Sequence, residues 1–121
     1  MRKIFILSLM ILSLSSSKAF DFSAVAPSGQ TLYYEFCTGG VSVVSPGYYS
    51  NWTGYDKPTG NLVIPDTVTY SGTKYAVKAI GQNAFRDCSG LTNITIPNTV
   101  TSIGFWAFCY CYGLTTPNTY W

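Results

Sequence analysis

Histidine is absent from this 121-residue chain, and charge is scarce: charged residues make up 10% of it. Without histidine, the usual Ser–His and Cys–His nucleophile–base pairs have no base. The same absence weakens a zinc reading of the four cysteines, Cys37, Cys88, Cys109 and Cys111. Cys109 and Cys111 form a CxC, too close for a zinc knuckle without a second pair or a histidine. No glycine-rich phosphate loop and no EF-hand pattern occurs. No metal and no cofactor is expected. The carboxylates are Asp21, Glu35, Asp56, Asp66 and Asp87. A glycosidase needs two carboxyl groups at a set separation. Asp66 falls in a turn after a strand and Asp87 beside Arg86, and both read as solvated turn residues. The chain is therefore not expected to be an enzyme.

Low charge does not mean disorder here. Hydrophobic residues make up 47% and aromatic residues 17%, a composition that packs. The length suits one small domain. Long apolar runs are lacking, with one exception at the start. Arg2 and Lys3 precede Ile4–Leu14, and Ser17 and Ala19 follow in a small-x-small pattern. This reads as a secretory signal over residues 1–19, cleaved after Ala19. The run is too short to span a membrane, which takes about 20 apolar residues. No Cys follows the cleavage point, which argues against a bacterial lipoprotein anchor. No later stretch is apolar enough to span, so no membrane span is expected after cleavage. Removing the signal leaves Lys57, Lys74, Lys78 and Arg86 against five carboxylates, a net charge of 4 − 5 = −1. Nothing in that balance recommends nucleic acid or an anionic membrane as partner.

What the chain does have is an internal echo. Ile80, Gly81, Ala84, Phe85, Cys88, Gly90 and Leu91 recur as Ile103, Gly104, Ala107, Phe108, Cys111, Gly113 and Leu114, each pair 23 residues apart. Such a period is the mark of a solenoid, in which each unit buries its apolar edge against a neighbour. Leu91, Ile94 and Ile96 have the spacing of a leucine-rich repeat. Ile94 and Ile96 face the core from a short strand and Thr95 points away. Pro97 ends that strand, since it has no N–H for a ladder. Phe85 and Phe108 should stack in the core. Cys88 and Cys111 share one repeat position and read as small buried hydrophobes rather than a bridge, although secretion makes disulfides possible and four cysteines allow three pairings.

Asn61-Leu62-Val63-Ile64-Pro65 resembles Asn93-Ile94-Thr95-Ile96-Pro97 and opens an earlier unit. That unit is longer. Val68-Thr69-Tyr70 and Tyr75-Ala76-Val77 flank Ser71-Gly72 and predict a projecting two-stranded hairpin in place of a tight coil turn. Residues 20–60 precede the repeats. Thr31–Phe36 and Val41–Val44 read as strands joined by Cys37-Thr38-Gly39-Gly40, after a Pro27-Ser28-Gly29 turn. Residues 45–60 read as an irregular loop carrying Tyr48, Tyr49, Trp52 and Tyr55. The repeats run over 61–116, and 117–121 form a tail.

The run I-P-x-x-V-x-x-I-G-x-x-A-F-x-x-C-x-x-L resembles the BspA-like leucine-rich repeats of secreted and cell-surface proteins from Bacteroidales and some mucosal protozoa. It covers Leu62 to Leu114. The leader from Asp21 to Tyr34 also looks like the start of secreted Bacteroidales members. The resemblance implies a β-rich leucine-rich-repeat solenoid with an N-terminal β-hairpin segment. It also implies a bacterial secreted or surface protein that adheres to host extracellular proteins or other cells. Two sequons, Asn51-Trp52-Thr53 and Asn93-Ile94-Thr95, carry no meaning in such a host. Family members usually carry many repeats, and here there are about one and a half, fewer than the ~3 a solenoid needs. A truncated reading frame and a very short member with its own cap both remain open. So does a purely structural role, as the N-terminal cap of a longer surface protein.

Three surfaces are candidates for binding. The loop aromatics Tyr48, Tyr49, Trp52 and Tyr55 suit recognition, or else cover the open end of the core. Phe105, Trp106, Tyr110 and Tyr112 stand where the first unit has Gln82, Asn83, Asp87 and Ser89, which turns a polar surface aromatic. The outward strand positions Val63, Asn93 and Thr95, flanked by Asn61, form the usual binding face of such solenoids, but two strands fall short of a standard interface of about 800 Å² per partner. A carbohydrate-active enzyme, the remaining class, rests only on carboxylates and loop aromatics.

Overall fold

The computed structural model describes residues 19–49 and 51–114. The expected signal lies outside the described residues apart from Ala19, as does the tail at 117–121. Strands make up the regular structure, and there is no helix among the described residues.

The chain begins as an antiparallel meander. β1 (Phe22–Val25), β2 (Thr31–Cys37) and β3 (Gly40–Val44) pair in order, with Phe22 opposite Tyr34 and Tyr34 opposite Val43. β2 and β3 follow the two β-rich runs of the sequence. β1 is a strand that sequence reasoning missed, because only four residues separate Asp21 from Ala26 and just one of them is fully buried. It forms because the turn at Pro27–Gly29 folds it back, with the Ala26 N–H donating to the Gln30 carbonyl at 2.7 Å. Phe22 then enters the core and stacks on Tyr34 (centroids 5.3 Å apart) and on Tyr70 (4.5 Å).

The second hairpin is β5 (Thr67–Tyr70) and β6 (Thr73–Ile80). Ser71 and Gly72 both have positive φ, +50° and +80°, which matches the twist a tight hairpin requires. The expected hairpin forms, but its second strand runs on beyond it. Only the first half of β6 pairs with β5. The second half lies between β3 and β8 (Ser102–Ile103), parallel to both. β6 is therefore the spine of the sheet, whose order is β1-β2-β3-β6-β5 with β8 also on β6.

Two parallel ladders result. In one, Val43 pairs with Ile80 and Ile80 with Ile103. In the other, β4 (Gly60–Val63) pairs with β7 (Leu91–Thr95), Leu62 opposite Ile94 and Val63 opposite Thr95. β7 stops at Thr95, so Ile96 lies just beyond the strand, half-buried. Consecutive coils are also tied on the return side. Asn83, Phe85 and Asp87 donate their N–H groups to Phe105, Ala107 and Cys109 at 3.0, 2.8 and 2.9 Å.

Between ladders and return segments runs an aromatic column. Phe85 and Phe108 stack 5.6 Å apart with planes 10° from parallel. Trp52 stacks on the other face of this column, 6.3 Å from Phe85 at 21°. All three rings are buried. The N-terminal segment thus supplies both a strand (β3) and a ring (Trp52) to the first level of the solenoid. It covers the apolar edge of the first coil, which would otherwise face water.

Candidate functional site

The return segments decide what the surface looks like. The position two after each column ring has a left-handed backbone in all three levels: Gly54 (φ +86°), Asp87 (+65°) and Tyr110 (+62°). Asn83 and Trp106 are likewise equivalent, at +59° each. The turn imposes this geometry whatever residue stands there. Gly, Asn and Asp accept it readily, while a bulky Trp or Tyr is strained. The last described coil nevertheless places aromatic residues at both positions.

Those residues are on the surface. Phe105 is 79% exposed, Trp106 60%, Tyr110 46% and Tyr112 77%. Tyr110 and Tyr112 lie 5.8 Å apart, and Arg86 reaches across from the preceding coil. Its guanidinium sits 5.8 Å from the Trp106 ring centre and 5.4 Å from that of Tyr110. Beside it opens a concavity of about 300 Å³, lined by Asn51, Trp52, Thr53, Lys57, Arg86 and Asp87. No signal in the sequence announced this groove, because its two walls, Asn51–Lys57 and Arg86–Asp87, come from segments far apart in the chain.

The loop aromatics divide. Trp52 is not available as a recognition residue. It is 3% exposed, and its Nε1–H donates to the Ala84 carbonyl at 3.1 Å. Tyr55 is half-buried and packs edge-on against Tyr33 and Phe20. Only Tyr48 and Tyr49 of that set stand on the surface, Tyr49 at 97% exposure and with φ +61°. On the strand face, Asn61 pairs with Asn93 and Val63 with Thr95. Asn61, Asn93 and Thr95 are exposed and Val63 is half-buried, so this face is small and mostly polar.

A larger concavity, about 380 Å³, lies over the last coil between β7 and β8, lined among others by Ile96, Val100 and Ile103. None of its described lining residues is ionisable. Among the described residues no cluster of His, Cys, Asp and Glu is suited to a metal ion, and no helix is long and apolar enough to cross a membrane. Cys88 and Cys111 are buried and free.

Comparison with known proteins agrees with this geometry. Residues 60–119 match the family described as BspA type leucine rich repeat region (6 copies). A leucine-rich repeat protein from Bacteroides capillosus ATCC 29799 is 29% identical, with a TM-score of 0.53 over 82% of this chain and 62% of its own. One from Bacteroides ovatus ATCC 8483 is 26% identical, with a TM-score of 0.48 over 80% and 29%. A leucine rich cell surface protein from Faecalibacterium prausnitzii A2-165 is 20% identical, with a TM-score of 0.43 over 78% and 30%. The chain thus spans less than two thirds of the length of each. No curated protein matches it.

Proposed function

Since the chain belongs to the BspA-type leucine-rich repeat family, with a β-rich repeat fold to match, we propose that it is a secreted or cell-surface, non-enzymatic bacterial protein that binds an extracellular protein and serves adhesion to host or other cells. The observation that carries this reading is the exposed aromatic face of the last described coil. Four aromatic residues there replace Gln82, Asn83, Asp87 and Ser89 of the coil before. Exposed Trp and Tyr beside Arg is the composition of protein-binding hot spots. A contiguous exposed apolar patch is unusual on a protein that has no partner. The signal-like start at Arg2–Ala19 supports export.

A second reading is structural, that of an N-terminal cap for a longer surface array. It is favoured by the way β3 and Trp52 cover the first coil. The two separate in one measurement. The purified chain is passed over immobilised extracellular-matrix proteins in parallel with F105S/Y112S. Saturable binding that the double variant loses supports recognition. Background signal from both proteins leaves the cap reading in possession.

A further inference from the structure

We propose that the groove between the Asn51–Lys57 loop and Arg86 receives a single acidic side chain, Asp or Glu, from a segment of the protein partner, with Arg86 and Lys57 as its charge partners and Arg86 itself held against the rings of Trp106 and Tyr110. This rests on the reading that the aromatic face binds protein, and it specifies the chemistry of that contact.

The charges come first. The described residues hold four cationic side chains, Lys57, Lys74, Lys78 and Arg86, and two of them line this one concavity. Asp87 lines it too, so among the described residues the groove carries one net positive charge. One carboxylate guest neutralises it. Two would restore an imbalance of the opposite sign.

Arg86 is also pre-arranged. Its guanidinium contacts two rings, at 5.8 and 5.4 Å, which restricts the side chain before any ligand arrives. Its N–H groups find no acceptor among the described residues. A guanidinium so placed presents a planar fork that matches a carboxylate in two-point geometry.

The backbone gives an independent indication. Asn83 and Asp87 relieve the left-handed positions of their coil, and Trp106 and Tyr110 do not. The two strained residues are the same two that hold Arg86. Strain of this kind collects at binding sites, where a side chain is kept for what it contacts rather than for fold stability. A peptide suits the surface better than a sugar, because Phe105 and Tyr112 carry apolar area well beyond the groove, on residues 79% and 77% exposed.

The test uses an array of capped dodecapeptides, each printed with Asp or Glu and again as its Asn or Gln isostere, probed with the purified chain. The expected binders combine an acidic residue with apolar neighbours, and the isosteres bind at least ~10-fold more weakly, since one lost charge-assisted contact is worth about that much. R86Q and K57Q should each lose a similar factor, with R86K restoring only part of it. Binding should weaken as NaCl rises. W106N/Y110D should bind no acidic peptide yet melt at a higher temperature than the parent, an outcome that a merely structural role for these rings reverses. If F105S/Y112S abolishes binding but R86Q and the isosteres change nothing, the protein-binding face stands and the acidic contact is overturned. Binding of galacturonic acid oligomers in place of peptides moves the carboxylate to a sugar and overturns the peptide assignment. An array with no binder overturns it as well.

Discussion

The Cys111 thiol donates to the carbonyl oxygen of Phe85 at 3.0 Å, so a side chain of one coil satisfies the backbone of the coil before it. Both partners are buried. Burial is the first cause that lifts the Cys111 thiol from an ordinary value of 9.0 to about 11, and it lifts Cys88 to about 12. These are neutral hydrogen-bonding and packing groups at neutral pH, and burial disfavours their thiolate forms in the fold.

Thiol chemistry and alkaline stability follow from that pair. At pH 8 the native chain should give up its exposed Cys37 to iodoacetamide rapidly, while Cys88 and Cys111 react only after unfolding. A raised folded pKa means that the folded state holds more protons than the unfolded state between the two values. The stabilisation is then complete below about pH 9 and is lost as pH rises from there towards about 12. The melting temperature should fall from about pH 9 upward. C88A/C111A should delay the onset towards pH 10, where the buried Tyr34, raised by the same desolvation from its ordinary value of 10.0, begins to contribute.

Tyr34 itself offers a test of opposite sign. Its ring is fully buried against Phe22, and its hydroxyl has no hydrogen-bond partner among the described residues. Y34F removes an unsatisfied buried donor and keeps the packing. It should raise stability by about 1 kcal/mol in urea unfolding. A loss of stability would mean that the hydroxyl is satisfied in solution.

Gly104 and Gly81 share one repeat position but not one environment. A Cβ on Gly104 would collide with the backbone of Gln82, whereas on Gly81 its nearest neighbour is the Val43 carbonyl oxygen at 3.2 Å. G104A should cost about 1–3 kcal/mol through overpacking against backbone. G81A should cost less. Denaturant midpoints of the two variants, measured side by side, check the order.

Phe85 is the central ring of the Trp52–Phe85–Phe108 column. F85A leaves a cavity between two rings and should cost about 3–5 kcal/mol, a large part of the stability of a domain this small. F105A, at a 79% exposed site, should change stability by less than about 0.5 kcal/mol. Thermal melting of the two variants should therefore separate widely.

Local pattern made much of this fold legible. The Leu62/Ile94 correspondence placed one ladder and Phe85/Phe108 the column beside it, while Ile80 and Ile103 matched as repeat positions without reading as paired strands. Cys88 and Cys111 read as buried from their shared position and are buried. What escaped was non-local or out of period. Trp52 belongs to the column, but the hairpin inserted before Ile80 displaces it from the 23-residue spacing, so it read as a loop aromatic. The pairing of β3 with β6 joins two segments whose sequences share no signal. The candidate site was half legible. Phe105 and Trp106 stood out as aromatic substitutions in polar positions, but residue type said the opposite of the left-handed backbone that carries Trp106 and Tyr110. Arg86 and Lys57 became neighbours only through tertiary packing.

β6 gives the array a direction of growth. It is bound at once to its hairpin partner β5, to the cap strand β3 and to the following coil through β8. A coil inserted between β3 and β6 would have to part the cap from the strand that it registers. A duplicated 23-residue segment placed after Ile80 meets like surfaces on both sides and leaves those junctions intact. Gene-level expansion of this protein is thus easier downstream of β6 than upstream of it, so lineages should differ in the length of their repeat tract far more than in the architecture of their start.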